Sequence, residues 1–235
     1  MIITPNWPTP EGITALVSLR DRGNFATHVE DDLGTVLANR ERLAKEYHLP
    51  QAPFWLNQIH SDKVIKINAH SPNTIPDADG SYTNEKGLVC AVLTADCLPV
   101  LLCDRHGQEI AALHAGWRGV LADIITRGVE CFSAARHDIY AWLGPAIGPQ
   151  AFEVGPEVYQ AFLDVHSDAA TTFSPSAKPG HYYLDIYALA KQYLQRAGIK
   201  HIYGGDYCTY TDTEQFFSYR REGKTGRMVS LIWRS

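Results

Sequence analysis

Three short segments place chemically capable side chains where apolar runs stop: Asn57-Gln-Ile-His60-Ser61, Thr94-Ala-Asp-Cys97-Leu-Pro-Val100 and His114-Ala-Gly-Trp-Arg-Gly119. Two imidazoles and one thiolate form a three-ligand set that zinc accepts, leaving a fourth position open for water or substrate. The same residues also read as a nucleophile pair, with His114 as base and Cys97 attacking a carbonyl. Intervals of 37 and 17 residues separate the three. They exceed the short ligand spacings of zinc fingers and ribbons, so spacing alone does not choose.

A lone strand-end histidine is more often a partly buried residue that donates to a backbone carbonyl. Behind His114, however, Gly116 and Gly119 free the backbone for close approach, and Trp117 and Arg118 supply a stacking wall and an anion clamp. Cys97 sits between Asp96 and Pro99, which implies a turn with the thiol at its tip; Cys90 and Cys103 lie inside apolar runs and read as core. His60 is followed by polar Ser61-Asp-Lys63, the composition of a hairpin turn. Asp96 is the nearest acid or base, by adjacency. The run 217–227 adds four cations around two glycines and reads as a solvated hairpin, with Arg220 a phosphate anchor if its strand turns inward. The stretch 143–149, Leu-Gly-Pro-Ala-Ile-Gly-Pro, reads as a rigid turn able to shape a pocket wall.

These side chains need a scaffold. An amphipathic helix is expected at 32–47, with Leu33, Val36, Leu37, Leu43, Ala44 and Tyr47 on its apolar face and Asp31 or Asp32 as cap. Further helices are expected at about 119–134, 155–165 and 184–197. Strands are expected at about 53–59, 63–67, 87–94, 99–103, 109–114, 139–143, 201–204, 215–220 and 228–233. Helices and strands mix without strict βαβ alternation, which implies an α+β fold, or α/β in layers. The polar pieces 71–80 and 173–180 are short enough to be loops, so one domain is expected over 1–235.

Hydrophobic residues at 45% and charged residues at 20% mark a globular chain. The net charge of -5 argues against duplex nucleic acid and anionic membrane surfaces as partners. The N-terminal stretch lacks a signal-peptide pattern and no window reaches about 18 apolar residues, so a cytoplasmic protein is expected. Five cysteines without a C-x-x-C pair point to reduced thiols.

TADCLPVLL, HAGWRG, WLGPAIGP and GGDYCTY followed by FFSYRREGKTGR together resemble the YfiH-type laccase-domain family, whose members are also labelled polyphenol oxidase, peptidoglycan editing factor and purine nucleoside phosphorylase. The resemblance implies mixed β-sheets packed together and flanked by helices, as in the YfiH-like cysteine hydrolase fold. It implies a zinc held by His60, Cys97 and His114, and phosphorolysis of adenosine, inosine and methylthioadenosine, with adenosine deamination at the same site. The small-molecule partners would be a purine nucleoside and phosphate. Candidate substrate contacts are Arg20, Gln58, Asp96, Arg118, Cys208 and Arg220. The segment 18–31 is shorter than the family pattern and has one glycine where two are usual, with Arg20 and Asn24 standing in the corresponding places. Laccase chemistry is not expected, because a multicopper site needs His-x-His pairs and this chain has none; copper would bind the trio only adventitiously. Two alternatives stand beside the phosphorylase: a Cys/His thiol hydrolase or amidase linked to peptidoglycan precursor editing, and a metal-binding scaffold module without significant turnover.

Overall fold

The computed structural model describes every residue of the chain except Glu30 and Asn73, the latter in the expected loop 71–80. The first half holds strands β1 (Ile2–Ile3) and β2 (Ile13–Ser18), helix α1 (Leu33–Glu46), strands β3 (Val64–Lys66), β4 (Gly80–Thr83), β5 (Val89–Thr94), β6 (Leu98–Asp104) and β7 (Ile110–Ala115), and helices α2 (Trp117–Leu121) and α3 (Ile124–Glu130). The second half holds β8 (Ile139–Leu143), β9 (Glu153–Val154), α4 (Pro156–Val165), β10 (Phe173–Pro175), β11 (Tyr182–Leu184), α5 (Ile186–Arg196), β12 (His201–Gly204), α6 (Tyr219–Glu222) and β13 (Met228–Arg234).

The strands form a six-stranded sheet in the order β12-β8-β6-β7-β4-β3, a four-stranded sheet β1-β2-β13-β5 and a small sheet β10-β11-β9. The period-2 alternation of side chains decides how these stack. In β6, Leu98, Val100 and Leu102 face the helices, while Leu101 and Cys103 face the other sheet. In β13, Met228 and Ile232 point into the gap between the sheets, and Val229, Leu231 and Trp233 point outward toward α1. The result is four layers: α1, the four-stranded sheet, the six-stranded sheet, and the helices α2 to α5.

Several sequence expectations shift. The 53–59 run makes only isolated bridges, Phe54 to Cys90 and Asn57 to Asp77, because the Gln58 side-chain amide bonds both the N–H and the carbonyl of Leu93 in place of backbone. The 119–134 helix breaks into two at Asp123, whose φ of 75° is left-handed. The 215–220 strand is instead a loop leading into α6, which Ser218 caps by accepting from Arg221 N–H. The stripe on α1 is narrower than its pattern: Val36 and Leu43 are buried with Asn39, while Leu33 and Leu37 face solvent. Strands β1, β2, β4, β9, β10 and β11 lie outside the expected set, and β10 takes up the start of the expected loop 173–180; β4, Gly-Ser-Tyr-Thr, is too polar to announce burial and yet is wholly buried.

Leu113 of β7 is wedged between two glycines. A Cβ on Gly80 would come to 2.7 Å from its Cδ2, and one on Gly128 of α3 to 2.5 Å from its Cδ1. Substituting Gly128→Ala gains about 0.5–1 kcal/mol of helix propensity but overpacks a site where Leu113 cannot retreat, at about 1–3 kcal/mol. The net expectation is a lower thermal midpoint, by roughly 2–4 °C per kcal/mol lost. A scan showing an unchanged or raised midpoint would contradict this packing.

Candidate metal centre

The chain passes from one sheet to the other within three residues. β5 belongs to the four-stranded sheet and β6 to the six-stranded one, and Ala95–Cys97 make the crossing. Cys97 therefore stands at the open end of the gap between the sheets. His114 lies opposite Pro99 in the β6–β7 register and shares the inward parity of Ile110 and Ala112, which brings its ring to the same place, 3% exposed. The crossing needs an unusual backbone: Asp96 has φ 86°, and its carboxylate is tied to Thr209 Oγ1 at 2.6 Å and to the N–H of Arg220 at 2.6 Å.

The third imidazole-or-thiol group arrives through Asp79, which is fully buried. Its Oδ2 accepts from the N–H groups of Ile59 (3.2 Å) and Ser61 (2.6 Å) and from Ser61 Oγ (2.8 Å). Its Oδ1 accepts from the N–H of His60 at 2.9 Å and lies 2.8 Å from His114 Nδ1. One carboxylate thus pins the loop carrying His60, itself at the left-handed φ of 62°, and orients His114. Burial would raise the Asp79 pKa, but the bonds from His114 and Ser61 outweigh it and hold it at about 2.

The ligand atoms of His60, Cys97 and His114 all lie within 4.8 Å of one another, with Cys97 Sγ 3.9 Å from His60 Nε2. Tetrahedral zinc with bonds of about 2.0–2.3 Å needs only a small contraction of that triangle. Burial would push the Cys97 thiol up, but the neighbouring His114 and His60 imidazoles pull it below its ordinary value, and a thiolate is the form that ligates. Burial acts on His114 in the opposite sense, and Cys97 and Asp79 override it to raise its pKa. The His114–Asp79 bond commits Nδ1 and leaves Nε2 to face the trio, the carboxylate–histidine pattern of metal sites. Gly116 completes the cradle: a Cβ there would lie 3.0 Å from His60 Cδ2 and 3.1 Å from Cys97 Sγ. The donor set and the space both fit a metal ion.

A family model described as "Multi-copper polyphenol oxidoreductase laccase" matches residues 16–235. The chain belongs to this family. Among its relatives, the Escherichia coli K12 protein named purine nucleoside phosphorylase YfiH is 48% identical, over 99% of this chain and 98% of that one. A Pseudomonas aeruginosa protein also named purine nucleoside phosphorylase is 42% identical over 98% and 97%. The crystal structure of a Neisseria meningitidis protein superposes with a TM-score of 0.94 at 41% identity, covering 100% of this chain and 99% of that one. YlmD from Geobacillus stearothermophilus gives 0.87 at 30% identity, over 97% and 93%. In this member of the laccase-named family, the trio is the one group of three or more potential ligands among the described residues.

The trio lies in the wall of a cavity of about 440 Å³. Gln58, Asp96, Arg118 and Arg220 also line it, whereas Arg20 and Cys208 are not among the lining residues. Arg20 pairs with Glu222, and Cys208 accepts the N–H of Gly148 at 3.2 Å beside a separate hollow. The roles also shift. Gln58 serves as a backbone surrogate for β5, and the Asp96 oxygens each accept one hydrogen bond, from Thr209 and from Arg220, which ties the carboxylate to the crossing. Arg220 reaches the cavity from α6, its Nη1 on the carbonyl of Glu153 at 2.8 Å, and Arg118 lies over the Trp117 ring. Sequence reasoning missed Asp79, Arg227 and His28 as site residues. A buried acid in a Pro- and Asp-rich loop carries no pattern of its own; Arg227 belongs to the basic run that reads as a solvated hairpin, and His28 to a polar segment with no strand or helix pattern.

Asp79→Asn keeps the shape and loses the charge that orients His114. Metal affinity should fall about 10–100-fold, read by competition with a chromogenic chelator; an unaltered affinity would show that Asp79 does not orient the ligand. Gly116→Ala should lower the bound metal per chain, measured by elemental analysis, because its methyl enters the space between His60 and Cys97.

Proposed function

We propose that the chain is a zinc-dependent purine nucleoside phosphorylase acting on adenosine, inosine and S-methyl-5′-thioadenosine, with adenosine deamination at the same centre. The observation that carries this reading is the convergence of His60, Cys97 and His114 in a cavity that also receives Arg118, Arg220 and Arg227. None of those arginines has a carboxylate partner within salt-bridge distance among the described residues, although the chain is acidic overall. Guanidiniums that are held by backbone carbonyls, as Arg220 and Arg227 are, and not neutralised by a carboxylate suit an anionic substrate such as phosphate. The names of the Escherichia coli and Pseudomonas aeruginosa relatives support the same reaction.

In phosphorolysis a phosphate oxygen bonds C1′ of the ribose as the C1′–N9 bond breaks; the electron pair goes to the purine, which takes up a proton, and the sugar leaves as ribose 1-phosphate or its methylthio analogue. The residues of this chain divide that work. Arg118, Arg220 and Arg227 hold the phosphate, and Trp117, Phe152 and Tyr219 offer ring faces to the purine. Zinc held by His60, Cys97 and His114 would supply Lewis-acid stabilisation of negative charge and, for deamination, an activated water. Thiols without disulfide partners at all five cysteines suit a reducing, cytoplasmic setting. No helix among the described residues is long and apolar enough to cross a membrane.

A second reading has its own observation. Cys97, His114 and Asp79 also form the series nucleophile, base and orienter, the arrangement of a thiol hydrolase or amidase. One experiment separates the two: metal content of protein purified without added metal, paired with phosphate-dependent base release from adenosine. Zinc near one per chain with release supports the phosphorylase. No metal with rapid alkylation of Cys97 supports the thiol enzyme, and metal without turnover leaves a binding module.

Within the phosphorylase reading, Arg220→Ala and Arg227→Ala should each raise the phosphate KM by about tenfold or more, the loss of one charge-assisted hydrogen bond being about 1.5–3 kcal/mol. Steady-state assays with varied phosphate check this; an unchanged KM in both would sink the clamp.

A further inference from the structure

Residues 215–227 bring Tyr219, Arg220 and Arg227 to the cavity from a four-residue helix and its return loop. So short a helix has no stability of its own, and outside contacts must fix where its arginines reach. Asp96 holds the N–H of Arg220 and the carbonyl of Glu153 holds its Nη1, and a further set of contacts comes from residues 20–25. Arg20 donates its N–H to the carbonyl of Gln215 at 2.8 Å, and its guanidinium lies 5.0 Å over the Phe217 ring. At the far end, Asn24 Oδ1 accepts the N–H of Arg227 at 2.9 Å, and Phe25 N–H bonds the Arg227 carbonyl at 3.2 Å.

Glu222 joins the two segments. Its Oε1 accepts from Arg20 Nη1 and from Arg221 Nη2 at 2.7 Å and Nε at 3.2 Å, and its Oε2 accepts from Thr225 Oγ1. Arg221 continues the lacing to the carbonyls of Thr209 (2.6 Å), Tyr210 (2.7 Å) and Phe216 (2.7 Å). Burial would raise the Glu222 pKa, but Thr225, Arg20 and Arg221 bring it down to about 2, so the carboxylate is ionised at any working pH. Among the described residues, Arg221 alone of the three arginines in this arm has a carboxylate partner, which leaves the charges of Arg220 and Arg227 for the cavity.

We propose that Glu222, acting through Arg20 and Arg221, is a positioning residue that sets the reach of Arg220 and Arg227 toward a tetrahedral oxyanion. This rests on the phosphorolysis reading, in which the oxyanion is inorganic phosphate. It also gives Arg20 a different task from substrate contact: Arg20 holds the arm from behind.

The test is Glu222→Gln, with Arg20→Lys and Thr225→Ala as milder variants that each weaken one bond to the same carboxylate. Two quantities are measured in each: steady-state constants with phosphate and nucleoside varied separately, and the rise in thermal midpoint when inorganic phosphate is added. Glu222→Gln should raise the phosphate KM by about tenfold, as a misplaced clamp does, with the nucleoside KM moving far less and the phosphate-induced rise shrinking. The milder variants should shift the same two quantities by less. A lowered midpoint with an unmoved phosphate KM, or equal changes in both KM values, would make Glu222 merely structural and overturn the proposal. If Glu222→Gln does not fold, the two milder variants decide by the same criteria. If the wild-type protein shows no phosphate-dependent base release, the phosphorolysis reading fails, and the phosphate-induced rise decides the clamp by itself: lost in the variants it stands, retained it falls.

Discussion

Asp79 is the constraint on which the site depends. Five donors converge on one carboxylate that solvent does not reach, and they come from two places, the loop 59–61 and the end of β7. A buried charge is tolerated only when its hydrogen bonds are satisfied, and here satisfying them is the same act as bringing His60 to His114. Each missing donor would leave an acceptor short at about 1–3 kcal/mol, enough to favour the paired arrangement over a splayed one. The left-handed backbone at His60, unfavourable for a residue with a Cβ, persists because these bonds over-determine it.

Asp96 does the corresponding work for the thiol. Its carboxylate bonds Thr209 and the N–H of Arg220, so the crossing that carries Cys97 is tied to the start of the arm that carries the cavity arginines. Asp96 is also a non-glycine residue at positive φ, and the two site loops therefore share one device: a strained residue held by a carboxylate. The His60–Cys97–His114 trio and the arm that carries Arg220 and Arg227 are consequently not independent modules. Thr209 meets both, through its hydroxyl at Asp96 and its carbonyl at Arg221.

His114 and Cys97 were legible as pocket residues because they stand at the ends of apolar runs and because Gly116 and Gly119 advertise close approach at that point, whereas joining His60 to them took the family resemblance, since spacing alone does not pair the three. The helices α4 and α5 and the strands β5 to β8 were legible for the same reason: their periodicity is decided by burial on one or two faces. What was not legible depends on partners far along the chain. Nothing near Asp79 announces that it will be dry, and β4 beside it is buried through its neighbours β3 and β7 rather than its own hydrophobicity. The family pattern around Arg20 implies substrate contact, and no local signal tells that its guanidinium meets Glu222, 202 residues away. Leu33 and Leu37 were expected inward on α1, where Asn39 takes a core position by donating to the carbonyl of Asn24.

The pairing of β6 with β7 has a consequence for what the trio demands of the chain. Leu98 and Pro99 lie opposite Ala115 and His114, and Gly80 of β4 lies opposite Leu113, so Cys97, His114 and the Asp79 that holds the His60 loop all stand at one end of a single sheet. Because side chains alternate between the two faces of a strand, a slip of β7 by one residue against its neighbours would turn the imidazole of His114 to the helix side and leave the thiol facing an alanine. The cluster is in this sense a gauge of strand alignment: three side chains far apart in sequence coincide in one register alone.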